Sequence, residues 1–99
     1  MAVLMLMEWP GVTGELYDQV RASVRFDQDP PGGGLYHVAA VAEDGLRVVD
    51  VWESAAAFQA FVDTRLMPVV KQVGITAEPK VTVLPVRFAF APALMVRPG

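Results

Sequence analysis

The sequence predicts a single α+β domain with element order β-α-β-β-α-β, and three observations carry that expectation. Short apolar runs alternate with two stretches of helical periodicity. Each helical stretch is preceded by a hydroxyl residue suited to cap it, Thr13 and Ser54. An Asp44-Gly45 pair lies between two apolar runs, a strong short-range hairpin signal.

The elements follow in order. Ala2 to Glu8 is apolar on both faces and reads as a buried strand ended by Trp9-Pro10-Gly11. After the Thr13 cap, Glu15 stands in the first helical turn, where the helix dipole favours negative charge. Leu16, Val20 and Val24 then recur every four residues with Tyr17 beside them, while Asp18, Gln19, Arg21 and Arg25 populate the other side. The expected product is an amphipathic helix of about three turns.

Asp27 to Gly34 holds two prolines and three glycines, which forbid regular structure. A glycine run can cradle phosphate, but this one precedes a strand and lacks a Lys-Ser/Thr pair. It reads as a crossover loop. Leu35 to Glu53 is the hairpin. A two-residue Asp44-Gly45 turn sets His37 opposite Trp52 and Ala39 opposite Asp50, and alternation puts His37, Asp50 and Trp52 on one sheet face.

Behind Ser54, the stripe Phe58, Phe61, Val62, Leu66, Val69, Val70 and Val73 marks a second helix. Pro68 disfavours helix at Met67, so a break and a short second segment are expected, ended by Gly74. Pro79 to Phe88 reads as the last strand. Pro85 inside it cannot donate to a sheet ladder, which points to an edge or a bulge.

This order is the ferredoxin-like split arrangement: a four-stranded antiparallel sheet with two main helices on one face. The 99 residues form one domain, 1–99, in which 88–99 is an apolar C-terminal tail. The strands are apolar on both sides, too much so for a sheet covered once. A second copy of the chain over the open face, with the tail packed on it, is the economical solution. On that reading the His37 face points into a barrel between two copies.

Composition excludes several classes. Hydrophobic residues make up 54% of the chain, the net charge is −3 and the eight basic residues are scattered, so neither nucleic acid nor an anionic membrane is an expected partner. With no cysteine there is no disulfide framework, thiolate metal site or Cys nucleophile. The run Ala2 to Met7 lacks a basic flank, and no apolar stretch is long enough to span a bilayer; the cytoplasm is the expected compartment.

The candidate site is the polar cluster on the hairpin. His37, the only histidine, is placed to act as a general base, because imidazole is the side chain best suited to take up a proton near neutral pH. Asp50 is within reach to orient the ring, and Trp52 offers an aromatic wall for a flat substrate. The plainer reading is a half-buried histidine satisfied by Asp50, with Trp52 as packing. One His and one carboxylate fall short of a metal site. Asp27 and Asp29 read as solvated, and Arg47 and Arg87 as surface charges. Ser54 serves better as a cap than as a nucleophile, and Tyr17 and Tyr36 are proton donors without an evident partner.

The β-α-β-β-α-β order, the hairpin ending in Val51-Trp52-Glu53-Ser54, and Phe58 and Phe61 in the following helix resemble the dimeric α+β barrel superfamily. The similarity is in particular to the small antibiotic-biosynthesis-monooxygenase-like proteins, over roughly Ala2 to Arg87. That resemblance implies a homodimer and a largely apolar cavity between sheet and helices or loops. It also implies a flat aromatic or polyketide-like ligand. Members include cofactor-independent monooxygenases of polycyclic phenols, haem-degrading enzymes, polyketide cyclases and lactone isomerases. Haem-degrading members use an Asn on the first strand and a His on the second helix. Neither is present in Ala2 to Glu8 or Ser54 to Gly74, so no haem, and no other cofactor, is expected. Three functions follow as expectations: a cofactor-independent monooxygenase, a cyclase or isomerase using the His37–Asp50 pair as acid and base, or a non-catalytic dimeric binding or scaffold protein.

Overall fold

The structure is a computed structural model that describes residues 1–94; the end of the predicted apolar tail, 95–99, lies outside the described residues. The elements are β1 (Val3–Pro10), α1 (Gly14–Val24), β2 (Gly34–Ala42), β3 (Gly45–Trp52), α2 (Ala55–Phe61), a π-helical segment (Val62–Leu66), α3 (Met67–Val73) and β4 (Lys80–Pro85). The four strands form one antiparallel sheet in the order β2-β3-β1-β4. The α+β expectation with helices on one face therefore holds.

Both predicted caps form. Thr13 Oγ1 accepts from the Leu16 amide at 3.1 Å, and Ser54 Oγ accepts from the Ala57 amide at 3.0 Å. Met5, Met7 and Trp9 of β1 and Leu46, Val48 and Trp52 of β3 are buried against Val20 and Val24 of α1, Phe58 and Phe61 of α2 and Val70 of α3. Strand β1 runs two residues past its predicted end because Trp9 belongs to this core, its indole N–H donating to the Ala77 carbonyl at 2.7 Å. Strand β4 is shorter than predicted, ending at Pro85. It is an edge strand, where the missing proline N–H costs the sheet nothing.

The hairpin register differs from the predicted one. His37 pairs with Asp50, not Trp52, and Ala39 pairs with Val48, not Asp50; the turn residues are Glu43 and Asp44. Gly45 is the first residue of β3, opposite both Ala42 and Pro10. Its φ of +149° and the Gly11 amide donating to the Asp44 carbonyl at 2.9 Å show what the glycine is for. It admits the β1 backbone at close range rather than shaping the turn. The slip is of two positions, so alternation is preserved and His37, Asp50 and Trp52 still share a face. An irregularity between Gly34 and Tyr36 then brings Gly34 opposite Trp52.

Pro68 does not break the helix. The Met67 amide reaches back five residues to the Val62 carbonyl, and this widened π turn passes the chain into α3. The proline ring, which would clash with the carbonyl four residues earlier in an α-helix, is accommodated at the start of α3. Gly74, with φ +91°, ends the helix as expected.

The His37 face is the one covered by the chain's own helices, not the open one. Asp50 and Trp52 alternate with Val49 and Val51 along β3, and it is Asp50 and Trp52 that are buried with the core. The expectation that this face points into a barrel between two copies is thus corrected: α1 and α2 close over it. Among the described residues no helix is long and apolar enough to cross a membrane.

Candidate active site

A cavity of about 240 Å³ lies between sheet and helices. Met5, Val48 and Asp50 belong to its sheet side, Tyr17, Val20, Phe58 and Phe61 to its helix side, and Pro30 and Pro31 to the loop that completes the wall. That loop is held in place. Arg65, on the π-helical segment, donates to the Val24 and Asp29 carbonyls, both at 2.8 Å, and the Glu53 amide donates to the Gly33 carbonyl at 2.8 Å. The crossover loop is therefore a structural wall of the cavity.

All three predicted site residues line this cavity and touch in sequence. His37 Nδ1 lies 2.6 Å from Asp50 Oδ1, and the Trp52 indole N–H donates to Asp50 Oδ2 at 3.1 Å. The Asp50 side chain is 8% exposed and that of His37 31%. A carboxylate only accepts, so the network assigns the neutral ring a proton on Nδ1 and a lone pair on Nε2. The directly opposed strand positions of His37 and Asp50 make this contact possible. The register that the turn pair implied would have set them diagonally.

The lone pair on Nε2 has a partner that the sequence did not disclose. The Tyr17 hydroxyl, on α1, lies 2.7 Å from His37 Nε2, and the two rings are nearly parallel at 6.1 Å. Phe26 tilts against the imidazole at 4.6 Å. Tyr17 donates to His37, His37 donates to Asp50, and Trp52 donates to the other oxygen of Asp50, a continuous chain that ends on the carboxylate. Trp52 also packs on Phe58 and Phe61, at 5.7 and 5.3 Å, so it serves the core and the carboxylate at once.

Burial pushes the Tyr17 phenol up from its ordinary 10.0 to about 12; Arg21 opposes the shift and the Asp50 charge adds to it. The folded chain thus holds this proton to higher pH than the unfolded chain. Its contribution to stability is complete below pH 10 and is lost as the pH rises from 10 to about 12. Over that interval the melting temperature of the wild-type chain is expected to fall more steeply than that of Tyr17→Phe; parallel curves would contradict the assignment.

Of the remaining sequence candidates, Tyr36 also lines the cavity, and the charged ones lie nearer the surface. Arg47 pairs with Asp44 at 2.9 Å and with Glu8 at 3.8 Å, Asp27 with Arg21 at 3.7 Å, and Asp29 with Arg65 at 3.9 Å. Ser54 is occupied as a cap. Among the described residues no group of three or more His, Cys, Asp or Glu is placed to hold a metal ion.

Comparison with known proteins agrees with the fold. No protein-family model and no curated protein matches the sequence. Solved structures do match. SnoaB, a cofactor-independent oxygenase from Streptomyces nogalater, is 14% identical with a TM-score of 0.61, over 89% of this chain and 94% of that one. A protein of unknown function from Nitrosomonas europaea is 16% identical with a TM-score of 0.68, over 93% and 94%. The crystal structure of an antibiotic biosynthesis monooxygenase is 14% identical with a TM-score of 0.59, over 87% and 98%. The chain therefore has the fold of the antibiotic-biosynthesis-monooxygenase-like proteins. At these identities the likeness is one of fold, and chemistry must be argued from the site.

Proposed function

We propose that this protein binds a flat, largely apolar aromatic molecule with one acidic hydroxyl or C–H group, and oxygenates it without metal or flavin. The observation that carries this reading is the His37–Asp50 pair, 2.6 Å apart, at the polar end of an otherwise apolar cavity of about 240 Å³. A cavity of roughly 150 Å³ accepts a single benzene ring, so this volume suits a fused-ring ligand.

In the proposed reaction His37 removes the substrate proton, and Asp50 holds the ring and stabilises the imidazolium. Trp52 forms part of the apolar wall. The electron-rich anion then reduces dioxygen itself. With an anthrone, both C–H bonds of the reactive methylene break, one oxygen atom becomes the new carbonyl and the other leaves as water. The fold shared with a cofactor-independent oxygenase is compatible with this chemistry.

The protein is further proposed to act as a homodimer. Leu4 and Leu6 of β1 and Val49 and Val51 of β3 lie on the sheet face away from the helices, and Phe88 and Phe90 beyond β4 are 84% and 78% exposed. A second copy would cover this apolar surface.

Incubation with an anthrone in air tests the proposal. The wild-type chain is expected to form the quinone, with His37→Ala slower by about 10²-fold or more. Unchanged substrate at high protein concentration overturns the oxygenase reading. Oxygen-independent turnover to an isomeric or dehydrated product, lost in His37→Ala, replaces it with a cyclase or isomerase using the same pair. A monomeric mass by light scattering at micromolar concentration overturns the dimer.

A further inference from the structure

We propose that the substrate proton reaches His37 through the hydroxyl of Tyr17, making Tyr17 a catalytic residue of this site. The proposal rests on the function above and assigns a role to a side chain outside the hairpin.

The geometry leaves His37 one free lone pair, and Tyr17 occupies it. Nδ1 is committed to Asp50 at 2.6 Å, Nε2 faces the Tyr17 hydroxyl at 2.7 Å, and Phe26 lies against the ring at 4.6 Å. A ligand in the cavity therefore meets the Tyr17 oxygen before it meets an imidazole nitrogen. A phenolic oxygen donates one proton and still accepts. Tyr17 lines the cavity and can accept from a ligand hydroxyl while donating to His37.

The step balances without a further reactant. The substrate O–H bond breaks and its proton forms a new O–H bond on Tyr17. The original Tyr17 O–H bond breaks and that proton forms Nε2–H on His37. The electron pair stays on the substrate, the positive charge rests on the imidazolium beside Asp50, and Tyr17 ends neutral. Its new O–H then points at the substrate anion and stabilises it. Burial suits the phenol to this part, since it holds Tyr17 in its protonated form across the working pH range.

1-Naphthol, which is neutral when free at pH 7 and whose anion absorbs at longer wavelength than its neutral form, separates binding from proton transfer. Binding is read from quenching of tryptophan fluorescence and ionisation from the anion band in stopped flow. The wild-type chain is expected to bind the dye and ionise it. The rate should fall non-linearly with the fraction of D₂O, because two protons move together. Tyr17→Phe is expected to bind the dye with a Kd raised by about tenfold or less, for the lost hydroxyl contact, and to ionise the bound dye about 10²-fold more slowly. Equal or faster ionisation in Tyr17→Phe shows that Tyr17 only caps Nε2; this overturns the relay and leaves His37 as the base. A linear D₂O dependence in the wild-type chain also overturns it, and needs no variant to fold. Equal ionisation by His37→Ala, or no binding by any chain, overturns the proposed function and the relay together.

Discussion

Asp50→Asn is expected to slow turnover by about a thousandfold while leaving the chain folded. The reason lies in the hydrogen-bond direction around one buried carboxylate. Asp50 accepts from the Trp52 indole at 3.1 Å and from His37 Nδ1 at 2.6 Å. An asparagine has one acceptor oxygen and one NH₂ group, and the indole can only donate, so the oxygen must turn to Trp52. The NH₂ group then faces Nδ1, which must become an acceptor. The ring proton moves to Nε2, where it donates to Tyr17, and the lone pair that receives the substrate proton is gone. Exchanging charge-assisted for neutral hydrogen bonds costs about 1–2 kcal/mol of stability. Turnover at high substrate concentration, alongside ¹⁵N shifts of the imidazole, checks both halves. A variant with wild-type kcat and a transferred ring proton removes His37 Nε2 from the mechanism.

Gly45→Ala is expected to be the most damaging small substitution to the fold, at roughly 3–5 kcal/mol from backbone strain and overpacking combined. A Cβ at this position would overlap the Trp9 carbonyl oxygen and lie 2.8 Å from the Gly11 nitrogen and 2.9 Å from the Pro10 Cα. These are backbone atoms of the neighbouring strand, and a rotamer change cannot relieve the contacts. The residue's φ of +149° adds strain for any L side chain. For a domain of this size the melting temperature should drop by roughly 15 °C or more. By contrast Gly11→Ala meets nothing within 4 Å, and its penalty is confined to the φ of +77°. Thermal melts of the two variants should therefore separate widely; equal midpoints would contradict a close backbone approach at Gly45.

Gly45 also shows where local signals stop. An Asp-Gly pair between apolar runs is a turn signal, and the chain does turn there, but at Glu43 and Asp44. The glycine answers a demand from β1, thirty-five positions earlier at Pro10, and neighbouring residues carry no trace of that demand. Pro68 is a similar case. Its steric conflict with an α-helix is legible, yet whether the chain breaks or widens into a π turn depends on the packing either side. Here Phe58 and Phe61 before it and Val70 after it are all buried in one core, which keeps the helix continuous.

Much of the site was nonetheless readable from residue order. Strand alternation, with the pairing parity of a two-residue turn, placed His37, Asp50 and Trp52 on one face, and a register slip of two positions cannot undo a period of two. The Thr13 and Ser54 caps, the apolar stripes and the sequence of elements likewise follow from rules that act between residues a few positions apart. Tyr17 could not be read in this way. Its distance from His37 is set by how α1 lies across the sheet, which depends on the volumes of many packed side chains together. The choice of sheet face belongs with it, since both faces are apolar in sequence and only packing decided that the helices cover Asp50 and Trp52. Local chain chemistry thus determined the elements and the face that His37, Asp50 and Trp52 share. Tertiary packing decided that this face lies under the chain's own helices and that a tyrosine from one of them completes the hydrogen-bond chain, because contacts across layers obey geometry that no short stretch of sequence contains.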